Sequence, residues 1–380
     1  MKMTKLSLIA TLAISTAFAG GDIMEESTIP TPVTCNSNTT INGKAQVYYY
    51  TTDMAGTSDL FKKENTAMAG AVTFDVSHKL FDGITANFTT VGYVNFGDIA
   101  ENDFEEQPNG AYINIANITA TMGKTTLVAG RQLIDSPMFG SFDWLLAPSS
   151  FEAYTLVNQS ISNVTLVGTY VTKFRPLNTG NSWVDLTDQG EGDHYALGAV
   201  YGADALSASV WYYNIDIADY TQVYADLGYD FGSVNVATQV ASTNYAEAED
   251  SMAYGFKVGT KIANFELSAA VNMISDNITG FVSRDSLYAS SWNMMTSMAA
   301  EANEDTLSWK IGAATEFAGL NTSVSYAQYG DEGSELDLIV GYDITKCFSV
   351  DAVYTLTDYD VVVDEEDADA ALELMATYKF

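Results

Sequence analysis

The last ten residues of the chain, Ala371-Leu-Glu-Leu-Met-Ala-Thr-Tyr-Lys-Phe380, alternate between two kinds of side chain. Leu374 and Phe380 belong to a series of mostly apolar and aromatic residues at every second position, whereas Glu373 and Lys379 lie between them. Successive side chains of a β-strand point to opposite faces. This period of two therefore predicts a strand with one apolar and one polar face.

The same pattern recurs along the chain, in segments of roughly ten residues that are separated by breaks. Residues 307–317 repeat it, with Ile311 on the apolar parity and Lys310 on the polar one. Residues 252–262 do the same, and there Lys257 lies on the polar parity. A tilted strand of about ten residues is long enough to cross a bilayer.

The breaks alternate between short turns and long polar loops. The long ones span residues 53–66, 97–109, 134–150, 176–193, 276–305 and 359–369. Short turns at one end and long loops at the other are typical of a transmembrane barrel whose apolar parity faces lipid. We therefore predict an all-β, antiparallel transmembrane β-barrel of about eighteen strands over residues 39–380, with both ends on the short-turn, periplasmic side.

Composition excludes several other classes of protein. The chain has 49 acidic and 16 basic residues, which leaves a net charge of −33 and no basic footprint for nucleic acid. An apolar fraction of 47% is too high for a disordered acidic chain. Beyond the N-terminus, no apolar run is long enough for a membrane-spanning helix.

The N-terminus indicates export. Residues 1–19 carry Lys2 and Lys5, an apolar run and a small-x-small ending at Ala19, which is the pattern of a signal peptide. We expect residues 20–38 to form a periplasmic segment and the barrel to lie in the bacterial outer membrane, in contact with the bilayer and lipopolysaccharide. Cys35 and Cys347 would then both lie at the periplasmic rim, either as a disulfide or as two unpaired thiols.

A barrel of this strand number is too wide for its own side chains to fill. The third long loop, residues 134–150, contains Phe139, Phe142, Trp144 and Leu145 and is too apolar for a solvated outer loop. We predict that it folds into the lumen. The alternative is an outer loop that packs on its neighbours or on a second protomer.

Three stretches resemble OprD-type outer-membrane porins: Gly130-Arg-Gln-Leu-Ile-Asp-Ser-Pro137, Leu145-Leu-Ala-Pro-Ser-Ser-Phe-Glu152 and Val164-Thr-Leu-Val-Gly-Thr-Tyr170. The region is also similar to the major outer-membrane porins of epsilon-class proteobacteria. The resemblance implies an eighteen-stranded barrel, often a homotrimer, that admits small solutes past an inward-folded third loop. Members that take up carboxylate-bearing substrates line the lumen with a ladder of arginines. This chain has only three arginines, which disfavours such a role.

Charges on the lumen wall and at the constriction set the selectivity of a wide channel. The polar parity and the third loop predict two groups of residues. The predicted pore lining includes Lys173, Arg175, Asp226, Lys257, Lys310 and Asp337, and the predicted constriction includes Arg131, Asp135, Asp143 and Trp144. The strand that carries Arg131 mixes both parities, so the direction of its side chain stays open.

Acids outnumber bases on the polar parity, which favours a channel that prefers cations over anions. The alternative is that the loop acids are solvated and that salt screens their effect within about 8–10 Å. Asp135 and Asp143 are also candidate Ca²⁺ ligands, on a resemblance to calcium-binding porins and on the oxygen ligands that calcium prefers. Loose bridging of acidic loops by divalent ions is the alternative, and no other cofactor is expected.

Two other classes of function remain to be weighed. An enzyme is disfavoured, because His78 and His194 lie in no recognisable nucleophile motif. A surface structural protein or adhesin on a closed barrel is the second hypothesis, since the 276–305 loop carries Trp292 and several methionines. The alternative for this loop is an inward-folding plug or a contact between protomers of a trimer. Conductance after reconstitution distinguishes an open porin from a closed barrel.

Overall fold

The computed structural model describes residues 38–53, 60–97, 109–143, 146–187, 192–298, 304–359 and 369–380. The predicted signal peptide, Cys35 and Trp144 lie outside these residues. Within the described ranges, no helix is long and apolar enough to cross a membrane.

One antiparallel sheet makes up nearly the whole structure. Its strands are β1 (Thr39–Thr52), β2 (Thr66–Phe81), β3 (Ile84–Asn95), β4 (Asn109–Met122), β5 (Thr125–Gln132), β6 (Ser150–Asn158), β7 (Val164–Arg175), β8 (Val184–Asp185), β9 (His194–Ala203), β10 (Leu206–Ile215), β11 (Tyr220–Asp230), β12 (Val234–Tyr245), β13 (Ser251–Ile262), β14 (Phe265–Ser275), β15 (Thr306–Phe317), β16 (Leu320–Tyr329), β17 (Gly333–Thr345), β18 (Phe348–Tyr359) and β19 (Asp369–Lys379). Three 3₁₀ turns, Lys63–Asn65, Asp216–Ala218 and Thr296–Met298, lie in connections.

The sheet closes on itself as a barrel. Each strand pairs with the next along the chain, except that β7 pairs with β9 and the two-residue β8 pairs only with the end of β7. The other eighteen strands form the wall, and β1 pairs with β19 from Lys44↔Lys379 to Thr52↔Ala371. Among the described residues, closure leaves none of the eighteen wall strands with a free edge. The predicted eighteen-stranded antiparallel barrel is therefore confirmed.

The seam between the first and last strands depends on a glycine. Gly43 and Phe380 exchange two backbone hydrogen bonds of 2.9 Å. A Cβ at Gly43 would lie 2.5 Å from the Phe380 ring, so only glycine leaves room for this ring. The ring also packs edge-on against Phe74 of β2, with 5.6 Å between ring centroids. The C-terminal aromatic thus covers the seam from outside.

Both ends of the barrel wall lie on the side of the short turns, as the alternation of break lengths predicts. We name three outer connections L3 (residues 133–149), L4 (176–193) and L7 (276–305). A further outer connection of three residues, Gly330 to Glu332, joins β16 and β17. Sequence reasoning missed it, because it is as short as the inner turns.

The apolar parity faces outward and the polar parity faces inward. On β15, Ile311 is 52% exposed on the outside whereas Ser308 is fully buried on the inside. On β19, Tyr378 is 50% exposed and Glu373 only 5% exposed. This arrangement is the reverse of a soluble sandwich, whose apolar parity is enclosed. It fits a wall with lipid outside and water inside.

Candidate functional site

A cavity of about 2380 Å³ runs through the middle of the barrel. Residues from the strand faces and from L3 and L7 line it. Its acidic members are Asp135, Asp143, Glu266, Glu316, Asp337, Asp343, Asp351 and Glu373, and its basic members are Lys44, Lys257, Lys261, Arg284, Lys310, Lys346 and Lys379.

L3 packs apolar residues against side chains of β6 and β10, and its folding into the lumen stays a prediction. Met138 and Phe139 are each 1% exposed. The Phe139 ring meets Phe151 of β6 edge-on, with 4.9 Å between ring centroids, and the Met138 amide donates to the Tyr213 hydroxyl of β10 over 3.3 Å. The wall residues beneath L3 are accordingly apolar or aromatic, such as the 2%-exposed Trp211.

Arg175, at the end of β7, braces L3 and L4 against the wall. Its buried guanidinium donates to Asn114 Oδ1 over 3.1 Å, to the Pro148 carbonyl over 2.7 Å and to the Gly180 carbonyl over 3.3 Å. It also lies 4.3 Å from the centre of the Tyr112 ring. The expectation that Arg175 lines the pore is therefore wrong: the side chain is enclosed because it satisfies carbonyl groups from two loops.

L7 is held by carboxylates on strands distant from its own. The Trp292 indole donates to Glu373 Oε1 of β19 over 3.0 Å, and the Trp292 amide donates to Asp337 Oδ2 of β17 over 3.3 Å. The Asn293 amide donates to Glu335 Oε1 of β17 over 2.7 Å. Because L7 joins β14 and β15, these bonds carry it over to the β17–β19 side of the barrel.

A buried aspartate organises the middle of L7. Asp285 accepts hydrogen bonds from the Ser290 hydroxyl over 2.7 Å, from the Leu287 amide over 3.3 Å, and from the amide and hydroxyl of Ser297. Burial raises the pKa of Asp285, and the bonds from Ser297 and Ser290 oppose that rise. L7 is thus a folded segment with its own internal bonds.

L3 and L7 contact each other. The Val282 amide of L7 donates to the Met138 carbonyl over 2.9 Å, and the Gly140 amide donates back to Val282 over 3.3 Å. Arg284 Nη2 lies 3.5 Å from Asp135 Oδ1. Burial removes water from the Asp135 carboxylate and so raises its pKa, whereas the positive charge of Arg284 lowers that pKa. The two loops therefore bring one acid and one base together at the cavity.

The residues predicted for the constriction are only partly brought together. Asp135 and Asp143 line the cavity, and Trp144 lies outside the described residues. Arg131 lies on the same parity of β5 as the 40%-exposed Leu127, opposite Gln132, which lines the cavity. Arg131 therefore faces outward, away from the lumen.

The residues predicted for the pore lining fall into two groups, those that face the lumen and one that faces outward. Lys257, Lys310 and Asp337 lie on the cavity wall, and Lys310 donates to the Ser290 carbonyl of L7 over 2.7 Å. Asp226 faces inward and accepts from the Ser209 hydroxyl. Lys173 instead faces outward and binds Asp185 over 2.8 Å, so its expected place in the lumen is wrong. A bulge in the pairing of β6 with β7 changes the parity just before Lys173.

Sequence reasoning offered an inward plug as one alternative for residues 276–305 but assigned none of its three cavity-lining residues, namely Arg284, Tyr288 and Trp292. Loops have no periodicity, so parity could not assign them. The aromatic content of residues 276–305 could have indicated that their side chains face the lumen. The same property of residues 134–150 led to the prediction that L3 folds inward.

Two predicted features, a calcium site and a disulfide, stay predictions. Among the described residues, no group of three or more His, Cys, Asp or Glu is arranged to hold a metal ion. Asp135 has Arg284 as its neighbour, and calcium binding by Asp135 and Asp143 stays a prediction. Cys347 lies half-buried in the inner turn between β17 and β18, and its pairing with Cys35 stays a prediction as well.

Solved structures with the same architecture include three proteins from pseudomonads. OpdK from Pseudomonas aeruginosa is 15% identical, with a TM-score of 0.75 over 90% of this chain and 98% of that one. OccD3 (OpdP) from the same organism is 16% identical, with a TM-score of 0.75 over 96% and 98%. A BenF-like porin from Pseudomonas fluorescens Pf-5 is 12% identical, with a TM-score of 0.74 over 90% and 98%.

A family comparison identifies the chain at the level of sequence. A search of curated proteins found no match. The model of the family described as "outer membrane porin, OprD family" matches residues 92–309, which is more than half of the chain. Members are channels rather than enzymes and lie in the bacterial outer membrane as multi-pass barrels. The finer resemblance to porins of epsilon-class proteobacteria stays a prediction. This chain belongs to the OprD family of outer membrane porins.

Proposed function

We propose that the chain is a passive diffusion channel for small hydrophilic solutes and ions, narrowed inside the lumen where L3 meets L7. The observation that carries this proposal is the contact between the two loops at Asp135 and Arg284, on a cavity lined by polar side chains. In a barrel this wide, such a contact would set the size of the solutes that pass.

The side chains of the narrowed region would also orient a solute. Lys257 and Lys310 lie on β13 and β15, whereas Asp337 and Glu373 lie on β17 and β19. Of these four residues, the two bases therefore lie on other strands than the two acids. A field across the lumen aligns dipolar solutes and lowers the cost of removing part of their hydration shell.

We further propose a modest preference for cations. The eight acids on the cavity wall only slightly exceed the seven bases, and some of each are paired with one another. The net charge of −33 adds a negative potential around the whole protein. Together these charges support a permeability for K⁺ that exceeds the permeability for Cl⁻.

Reconstitution tests the channel and its selectivity together. Purified protein in planar bilayers should give stepwise conductance, with a reversal potential in a KCl gradient of the sign that cation passage produces. Liposomes should swell with small neutral sugars and more slowly with larger ones. A reversal potential of the opposite sign would contradict the cation preference, and proteoliposomes that do not swell would contradict the channel.

The alternative, a structural barrel or adhesin, rested on exposed aromatic and methionine residues in L7. Trp292 is bound to Glu373, and Met294 packs against Ala327 and Tyr329. Neither residue is therefore available for contacts outside the barrel, although Met298 is 57% exposed.

A homotrimer is proposed on the family resemblance alone. Native mass spectrometry of the detergent-solubilised protein tests it: a mass of three chains supports the trimer, and a mass of one chain contradicts it. The same measurement with and without Ca²⁺ tests the calcium hypothesis for Asp135 and Asp143.

A further inference from the structure

L7 is attached to the barrel at two places, and Asp285 lies between them. Residues 282–284, which we call the contact arm, bond to L3. Residues 286–298, which we call the L7 body, bond to carboxylates on β17 and β19. Asp285 is 6% exposed and is the residue that joins the two parts. Any change in how Asp285 is held therefore acts on both attachments.

The contact arm carries Arg284, whose side chain is only loosely held by its own contacts. Arg284 Nη2 lies 3.5 Å from Asp135 Oδ1, whereas charge-assisted hydrogen bonds between nitrogen and oxygen are about 2.7–2.9 Å long. Arg284 Nε is enclosed, and no described residue accepts a hydrogen bond from it. The position of the guanidinium at the cavity therefore depends on the backbone that carries it.

The backbone of the contact arm is fixed to L3 at its first two residues. The Val282 amide donates to the Met138 carbonyl over 2.9 Å, and the hydroxyl oxygens of Ser283 and Ser149 lie 2.8 Å apart. Ser283 has a φ of 70°, which is unfavourable for a residue other than glycine and persists where the surrounding structure fixes it. The bonds that follow Ser283 along the chain therefore decide where Arg284 points.

The carboxylate of Asp285 ties the contact arm to the L7 body. Its Oδ1 accepts hydrogen bonds from the Leu287 amide over 3.3 Å and from the Ser290 hydroxyl over 2.7 Å. Its Oδ2 accepts from the Ser297 amide over 2.9 Å and from the Ser297 hydroxyl. Hydrogen bonds to an ionised acceptor are stronger than those between neutral groups, and all four donors belong to the L7 body. The backbone next to Arg284 is thereby fixed to the L7 body.

From these contacts we infer that Asp285 is a positioning residue for ion selectivity, because it holds Arg284 beside Asp135 where L3 meets L7. This role rests on the proposed narrowing of the lumen by the two loops. Asp285 itself is not among the described residues that line the cavity. When its bonds to the L7 body are lost, Arg284 is free to leave the narrowed region. The negative charge of Asp135 then acts on permeating ions unopposed, and the preference for cations rises.

The test compares two variants that each remove one negative charge from L7. Asp285→Asn presents one oxygen and one NH₂ group to four donors, so two of the four bonds are lost. Asp276→Asn removes an exposed carboxylate at the start of the same loop. Reversal potentials of the full-length protein are measured in planar bilayers with a KCl gradient. We expect the permeability ratio of K⁺ over Cl⁻ to be about twofold higher in Asp285→Asn than in Asp276→Asn.

A second comparison separates positioning of Arg284 from a role in folding alone. In an Arg284→Gln background, Asp285→Asn should cause no further change in the permeability ratio, because the charge that Asp285 positions is absent. A shift of the same size in that background would overturn the inference, since Asp285 would then act without Arg284. Equal permeability ratios for Asp285→Asn and Asp276→Asn would overturn it as well.

The double variant S290A/S297A covers the case in which Asp285→Asn does not fold. It keeps every charge and removes two of the four bonds to Asp285. We expect its permeability ratio to exceed that of wild type by about 1.5-fold. A ratio equal to that of wild type, while Arg284→Gln raises it, would contradict the role of Asp285 and leave the narrowed lumen standing. An unchanged ratio in Arg284→Gln itself would contradict both.

Discussion

Two arginine–carboxylate pairs lie on opposite sides of the same wall. Arg284 and Asp135 lie 3.5 Å apart inside the barrel, and Arg131 and Glu152 lie 3.6 Å apart outside it. Their distances and exposures are similar, yet one pair lies at the cavity and the other lies on the outer face of the barrel. The chemistry of each pair therefore depends on which face of the strand or loop carries it, and not on the residue types.

The largest effect should follow from removing the segment of L7 that crosses to β17 and β19. Replacing residues 286–297 by a Gly-Ser linker of equal length abolishes the bonds of Trp292 and Asn293 to Asp337, Glu373 and Glu335. We expect single-channel conductance to rise severalfold, because the lumen is then narrowed by L3 alone. A Gly-Ser-Gly replacement of Asp216–Ala218, which lies in a short outer connection, should leave conductance unchanged.

Loss of the Arg175 brace should have the largest effect on stability. Arg175→Met leaves Asn114, Pro148 and Gly180 without a donor from this side chain. We expect the free energy of unfolding to fall by about 3 kcal/mol, measured by urea titration in detergent or vesicles. Arg131→Met, at the half-exposed outer pair, should cost only about 0–1 kcal/mol. Similar losses for the two variants would contradict the contrast between an enclosed arginine and a partly exposed arginine on the outer face.

The inner pair should control selectivity. Asp135→Asn should lower the permeability ratio for cations about twofold, and Arg284→Gln should raise it by a similar factor. The pKa of Asp135 is raised, so its negative charge disappears as pH falls through a range above the value of about 3.9 for an exposed aspartate. Cation preference should therefore decline from that higher pH downward, and less so in Asp135→Asn. Reversal potentials at several pH values measure both effects.

The smallest effect on transport should come from the outer pair. Arg131→Gln and Glu152→Gln alter no group on the cavity wall. We expect conductance and reversal potential within error of wild type. A clear change in either quantity would show that Arg131 contributes to the pore and would remove the distinction between the two pairs.

Sequence periodicity predicted the wall strands well because side-chain direction is a local property. On β13, β15 and β19 the parity of Lys257, Lys310 and Glu373 is as the alternation requires. Parity gave no direction for Arg131 on β5, because the apolar Val128 faces the cavity whereas Arg131 lies on the outward parity of Leu127. It failed near the end of β7 because a bulge shifts the pairing there.

The candidate site was harder to predict than the wall. Contacts such as Trp292 with Glu373 join residues 81 positions apart, and nothing local marks them. The apolar character of L3 did indicate burial, and Phe139 is 1% exposed. That argument applies equally to L7, whose aromatic residues the adhesin hypothesis assigned to the outer surface.

The orientation of the wall can be measured most directly with adjacent cysteines on β15. In a background without Cys35 and Cys347, Lys310→Cys lies on the cavity wall and Ile311→Cys on the outer face. The account predicts that a charged, membrane-impermeant thiol reagent modifies position 310 and reduces the current, whereas position 311 reacts only with a lipid-soluble reagent. Modification of position 311 by the charged reagent, with position 310 protected from it, would contradict the account.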